Sequence, residues 1–213
     1  MRYDFGSDNT AGMAPAALQG LVDANADYAR AYGADEVTAR AADLIRQRLD
    51  ADPEIRFVFS GTAANSIALS MLAWPHEAVL AHHAAHVCTD ETGAPGFFGQ
   101  GVGLIGLPGF SGKIDVRALT SALDEPEVGH RQPPAALSLT QSTEYGTVYT
   151  VEELRHLIEP MKAKGCGVHM DGARLANAAA AGFDLTQIAR LGVDVLVFGG
   201  AKAGGLCTEA IVM

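Results

Sequence analysis

The sequence predicts an α/β fold: a mainly parallel sheet with helices on both faces, in three α/β/α layers. Three observations carry that prediction. Short apolar runs alternate with segments of helical periodicity along the chain, the order expected of parallel strands joined by helical crossovers. One run, Val193 to Phe198, is rich in β-branched residues and reads as a buried strand. It empties into Gly199-Gly200-Ala201-Lys202-Ala203-Gly204-Gly205, a glycine-rich turn that presents one lysine. Another run, Gly167 to Met170, ends in Asp171-Gly172-Ala173-Arg174, which puts a carboxylate at the carboxyl end of a strand, where open α/β sheets place their ligands.

The 213 residues suffice for one large domain with a sizeable core. Hydrophobic residues make up 48% and charged residues 19%, ordinary for a globular α/β protein. The net charge of −10 comes with no basic patch, so nucleic acid is not an expected partner. Met1 to Phe5 carry no apolar signal region, and no apolar run approaches the ~20 residues of a membrane helix. Cys88, Cys166 and Cys207 are scattered and odd in number, which fits a reducing cytoplasm. None has CxxC spacing, so no structural zinc is expected.

Taken in order, residues 1–36 form an N-terminal arm and a first helix, from Pro15 to about Ala26. Residues 37–213 form the large domain. Thr38 to Leu49 is an amphipathic helix ended by Asp52-Pro53. Ile55 to Phe59 is a strand, followed by Ser60-Gly61-Thr62-Ala63-Ala64-Asn65 and a helical pattern over Ile67 to Ala73. Ala78 to Ala81 and Gly101 to Leu107 are strands, Pro108 to Gly112 a loop, and Asp115 to Leu123 a helix. A polar loop, Pro126 to Pro134, carries His130 and Arg131 before the strand Ala135 to Thr140. Thr150 to Glu153 is a capping box that opens a helix to about Lys164, stopped by Gly165. Helical pieces over Leu175 to Ala181 and Leu185 to Leu191 precede the strand Val193 to Phe198, and Cys207 to Met213 is the last strand.

Several stretches admit more than one reading. Ser7 and Thr10 are cap and turn residues on pattern alone. The turn after Phe59 is either an ordinary capped helix start or a set of free N–H groups aimed at an anion, helped by the helix dipole. His82, His83 and His86, followed by Asp90 and Glu91, are loop histidines, a metal cluster, or, for His86, a ligand-facing ring. Lys202 is either a solvated loop lysine or an amine used as a nucleophile toward a carbonyl.

Three elements then fit a single ligand. A helix N-terminus at Gly61-Thr62-Ala63 suits a phosphate, Asp171 suits a protonated ring nitrogen, and Lys202 can form an imine. Pyridoxal phosphate needs these three, and His86 suits stacking on its ring. At this point the sequence resembles the threonine aldolase and β-eliminating lyase group of pyridoxal-phosphate enzymes with the aspartate-aminotransferase fold, and within it the phenylserine aldolase branch. The matching motifs are Ser7-Asp8-Asn9, Arg30-Ala31-Tyr32-Gly33, Phe59 to Ser66, Ala85-His86-Val87 with Thr89-Asp90-Glu91, Gly93-Ala94-Pro95, Gln141-Ser142-Thr143-Glu144, His169 to Arg174, and Phe198 to Lys202. They occur in family order over nearly the whole chain.

The resemblance implies roles. Lys202 would carry the cofactor, Asp171 would bind the pyridine nitrogen, His86 would stack on the ring, and Gly61, Thr62 and Ala63 would hold the phosphate. Ser7 and Arg174 would bind the substrate carboxylate. Tyr32 would lie near a subunit interface beside the substrate, and His130 would reach the substrate from a neighbouring subunit. The implied reaction is a retro-aldol cleavage of a β-hydroxy-α-amino acid (threonine, allo-threonine or phenylserine type) to glycine and an aldehyde. It would be run by a cytoplasmic homodimer or homotetramer. Alternatives within the same resemblance are β-elimination and a catalytically weak cofactor-binding module. The family continues into a smaller C-terminal domain with another carboxylate-binding arginine. This sequence stops at Met213, so that domain is expected to be absent from it.

Overall fold

The computed structural model describes residues 6–125 and 129–213. Met1 to Phe5 and the first three residues of the polar stretch Pro126 to Pro134 lie outside the described residues.

The strands are β1 (Ile55–Val58), β2 (Ala78–His82), β3 (Gly103–Leu107), β4 (Gly109–Phe110), β5 (Lys113–Ile114), β6 (Pro134–Thr140), β7 (Gly167–Gly172), β8 (Val195–Gly199) and β9 (Glu209–Val212). Seven of them form one sheet in the order β1-β9-β8-β7-β6-β2-β3. The pairs β3/β2, β2/β6, β6/β7 and β7/β8 are parallel. β9 runs antiparallel to both neighbours, β8 and β1. β1 therefore points the same way as β8, and only β9 is inverted. The mainly parallel sheet read from the sequence is present, with one reversed strand where Cys207 to Met213 was expected.

Side chains alternate across this sheet with period two. Leu80, Leu137, Leu139, Val168, Met170 and Leu196 face one side, where they pack against Leu154, Leu157, Ile158 and Met161 of the helix Val151–Ala163. That helix opens with the expected capping box, Thr150 with Glu153. Val79, Ala81, Ala136, Val195, Val197 and Ile211 face the other side, toward the helix α3 defined below. The same alternation puts Ser138, His169 and Asp171 on that second face.

The helices differ from expectation mainly at their ends. α1 spans Pro15–Ala24 and α2 spans Glu36–Leu49, capped by Asp35. α3 spans Gly61–Leu72, so its N-terminus lies at Gly61-Thr62-Ala63 as expected, ahead of the periodic pattern over Ile67 to Ala73. Gly, Thr, Asn and Ser are weak helix formers, so the pattern understated this element; packing of the fully buried Ala64 and Ala68 on β8 and β9 overrides that propensity. The loop Pro108 to Gly112 contributes to a small hairpin, β4 with β5, and the piece over Leu185 to Leu191 shortens to Gln187–Arg190. No helix among the described residues is long and apolar enough to cross a membrane.

Candidate cofactor pocket

Because β1 shares the direction of β8, β7 and β2, the carboxyl ends of all four strands meet at one edge of the sheet. Each delivers a functional group there. β1 leads through Ser60 into α3; β2 leads to the short helix His86–Thr89; β7 carries Asp171 just before its last residue; and β8 leads to the turn holding Lys202. These side chains line one cavity of about 400 Å³.

At the start of α3, Ser60 Oγ accepts from the N–H of Ala63 at 3.2 Å, so Ser60 is the N-cap. Among the described residues no acceptor meets the N–H of Gly61 or Thr62, and both residues line the cavity. A Cβ built on Gly61 meets nothing within 4 Å. Two free donors at the positive end of a helix dipole face open space. The third residue assigned to that cradle, Ala63, spends its N–H on the Ser60 cap.

Asp171 is 3% exposed. Its Oδ1 accepts from the N–H of Ala173 at 2.9 Å and its Oδ2 from Asn65 Nδ2 at 3.0 Å. Asn65 Nδ2 also donates to Glu91 Oε1 at 2.9 Å, and the same oxygen meets His86 Nδ1 at 2.8 Å. The His86 backbone N–H donates to Glu144 Oε1 at 2.9 Å. The hydrogen bond to Glu91 pushes the His86 pKa above its ordinary value; burial opposes this, and the charges of Glu91 and Asp171 add to it. Burial pushes the Glu91 carboxyl up, but the hydrogen bonds from His86, Asn65 and Thr62 prevail and hold it below the usual carboxylate range. Beside Asp171 on the same face, His169 is fully buried, with Nδ1 2.9 Å from Ser138 Oγ; burial pushes its pKa well down.

Lys202 sits in a short helical turn, Ala201–Ala203. Glycine is needed to bring it there: a Cβ on Gly199 would lie 2.5 Å from the Cα of Ala173, so β8 and the turn after Asp171 could not approach. Lys113, Lys162 and Lys164 are each paired with a carboxylate, those of Glu153, Asp194 and Asp124. Among the described residues Lys202 has no ion pair and no hydrogen bond. The first residue of β9, Glu209, is buried at the same edge, where its Oε2 accepts from the Gly200 N–H at 2.9 Å. Burial pushes the Glu209 carboxyl up.

Arg174 is held by the arm. Its Nε and Nη2 donate to the Asp8 carboxylate at 2.5 and 3.1 Å. Burial works to raise the Asp8 pKa, but the hydrogen bond and charge of Arg174 prevail and hold it below the ordinary aspartate value.

Thus Gly61, Thr62, His86, Asp171, Arg174 and Lys202 share the cavity. Ser7 is exposed and caps the turn Asp8–Thr10; its neighbour Asp8 is the residue that reaches Arg174. Tyr32 is fully exposed at φ 62° and borders a separate groove with Phe57 and Thr208. His130 is exposed and outside the cavity. Within one chain, neither residue meets the others. His82 and His83 stack on each other with ring centroids 4.3 Å apart, and no group of three His, Cys, Asp or Glu among the described residues could hold a metal ion. Sequence reading did not assign Asn65, Glu91, Glu144, Asp8 or Glu209 a role. The signal for Asn65 was its position one helical turn beyond the Gly61-Thr62 start, on the face turned to the sheet.

Residues 4–213 match the beta-eliminating lyase family. The chain is 42% identical over 210 residues to a low specificity L-threonine aldolase of Pseudomonas aeruginosa, covering 98% of this chain and 61% of that protein. It is 30% identical over 184 residues to the low specificity L-threonine aldolase of Saccharomyces cerevisiae, covering 84% of this chain and 45% of that protein. A solved Leishmania major threonine aldolase superposes with a TM-score of 0.93 at 36% identity, covering 100% of this chain and 62% of that one. An alanine–glyoxylate aminotransferase from Nostoc, at 18% identity and a TM-score of 0.68, shares the fold. The chain therefore spans less than two thirds of the length of these relatives. By motif order, fold and the family match over residues 4–213, it belongs to the beta-eliminating lyase family.

Proposed function

We propose that the chain is the cofactor-binding part of a pyridoxal-phosphate-dependent aldolase that cleaves a β-hydroxy-α-amino acid, of the threonine, allo-threonine or phenylserine type, to glycine and an aldehyde. One observation carries this: the unpaired amine of Lys202 opens into the same cavity as the buried carboxylate of Asp171, the imidazole of His86 and the two free N–H groups of Gly61 and Thr62. These groups fit pyridoxal phosphate feature by feature: an amine for its aldehyde, a carboxylate for its ring nitrogen, a flat ring for its face and helix N–H donors for its phosphate. Bound there, the cofactor would supply the electron sink that accepts the electron pair of the Cα–Cβ bond.

The chain's own residues do the rest. Lys202 would hold the cofactor through its amine. Asp171, fixed by Asn65 and the Ala173 N–H, would turn its carboxylate to the ring nitrogen. Asp8 occupies Nε and Nη2 of Arg174, which leaves Nη1 for the substrate carboxylate. His86, made more basic by Glu91, would accept the β-hydroxyl proton. The exposed side chains of Ile67, Met71, Trp74, Phe97 and Phe98 support a homodimer or homotetramer, in which Tyr32 and His130 would serve a neighbouring subunit's site. Three free cysteines suit a reducing, cytoplasmic setting.

The test is product analysis after adding pyridoxal phosphate and a β-hydroxy-α-amino acid. Aldehyde and glycine in equal amounts support the aldolase. A 2-oxo acid and ammonia in their place would mark β-elimination.

A further inference from the structure

Behind the cavity, one side-chain amide serves two acids. Asn65 is 2% exposed and lies one turn into α3, against β7. Its two Nδ2 hydrogens go to Glu91 Oε1 at 2.9 Å and Asp171 Oδ2 at 3.0 Å. The orientation of this amide is fixed by chemistry, because the reversed form would turn its carbonyl oxygen against two carboxylate oxygens. Asn65 Oδ1 and Glu91 Oε2 are both buried with no hydrogen-bond donor among the described residues. A buried acceptor left unmade is costly, so the two donations to carboxylates must outweigh it. Glu91, with a side chain 1% exposed, also meets His86 Nδ1 at 2.8 Å and the Thr62 side chain.

We propose that Asn65 and Glu91 are positioning residues of this site: a single amide nitrogen holds the carboxylates of Glu91 and Asp171 together, and so fixes the imidazole of His86 and the acid of Asp171 as one unit. The inference rests on the pyridoxal-phosphate reading above. With Nδ1 committed to Glu91, His86 keeps Nε2 as the nitrogen turned to the cavity. The charged groups acting on that imidazole are Glu91, Asp171 and Lys202, and Glu144 takes its backbone N–H. The two anions favour the protonated ring and Lys202 opposes it. Without the Asn65 amide, Glu91 and Asp171 would face each other with no donor between them, and each would lose its place.

The test uses the whole chain, first without cofactor. Nitrogen-15 NMR of the histidines follows His86 through its titration in the wild type, in Glu91→Gln, which keeps the size of the side chain, and in Asn65→Ala. The midpoint for His86 should shift downward in Glu91→Gln and the preference for one tautomer should be lost. A midpoint and tautomer unchanged from wild type would overturn the proposal. A spectrophotometric titration with pyridoxal phosphate then compares affinities. Folded Asn65→Ala should bind it roughly 10- to 150-fold more weakly, the loss expected for one hydrogen bond to a charged group. Wild-type affinity in folded Asn65→Ala would overturn the coupling. If Asn65→Ala does not fold, Glu91→Gln decides by the same two readouts. A wild-type chain that binds no pyridoxal phosphate would refute the functional reading, whereas the His86 titration, read without cofactor, still decides whether Glu91 holds His86.

Discussion

Replacing Asp8 by asparagine should loosen Arg174 and weaken the hold of the N-terminal arm on the cavity. The pair consists of two N–H···O contacts, at 2.5 and 3.1 Å. Buried, a hydrogen bond to a charged group contributes ~1.5–3 kcal/mol; exposed ion pairs contribute ~0.2–1 kcal/mol. The side chains here are 26% exposed for Arg174 and 38% for Asp8, so solvent screening puts the pair at about 1 kcal/mol. In a domain of this size that corresponds to a fall in Tm of roughly 2–4 °C at neutral pH. The pH dependence has a definite sign. Asp8 has its folded pKa depressed below the ordinary 3.8, so its contribution is complete above 3.8 and is lost as the pH falls through the folded value. The Tm difference between wild type and Asp8→Asn should therefore be full at neutral pH and close in acid. Glycine binding to the cofactor-loaded chain should weaken about 5-fold, the equivalent of ~1 kcal/mol. Thermal unfolding at a series of pH values checks the first part and a glycine titration the second. A Tm difference that persists unchanged in acid would refute the ion-pair reasoning.

Three further outcomes follow from the same geometry. Asp171→Ala should still attach pyridoxal phosphate but lose on the order of 10²-fold or more in kcat, because the charge opposite the ring nitrogen is gone; near-normal turnover would remove that role. Ser60→Ala should cost ~1 kcal/mol through loss of the α3 cap, seen as a lower urea midpoint, while the free N–H groups of Gly61 and Thr62 keep phosphate affinity within a few-fold. Light scattering at micromolar concentration should give a dimer or tetramer, since Trp74, Phe97 and Phe98 are otherwise left in water, and a monomer would contradict it.

Much of the fold was legible because period and punctuation were strong. The β-branched run before Gly199, the capping box at Thr150 and the stop at Gly165 all lie where pattern puts them, with strand ends moved by two residues or fewer at β8. The inversion of β9 is carried by the short turn before it, which has no room for the crossover helix a parallel strand needs, and not by the alternation of strands and helices. The start of α3 at Gly61 came from the small-residue turn after a strand, because its periodic pattern begins only at Ile67, past weak helix formers small enough to pack on the sheet. Lys202, Asp171 and His86 could be found because each follows a strand. Asn65, Glu91 and Asp8 could not, because their importance lies in what they touch across 26 to 166 positions of sequence, and spacing carries no trace of that.

The central claim is that Lys202 is the amine that takes up pyridoxal phosphate. The most direct measurement is borohydride reduction of the chain mixed with the cofactor, followed by peptide mapping by mass spectrometry. Lys113, Lys162 and Lys164 are held by carboxylates on the outside of the fold, whereas Lys202 is unpaired inside the cavity. The account predicts one phosphopyridoxyl group on Lys202 and its loss in Lys202→Ala. Labelling centred on another lysine, or spread equally over all four, would contradict it.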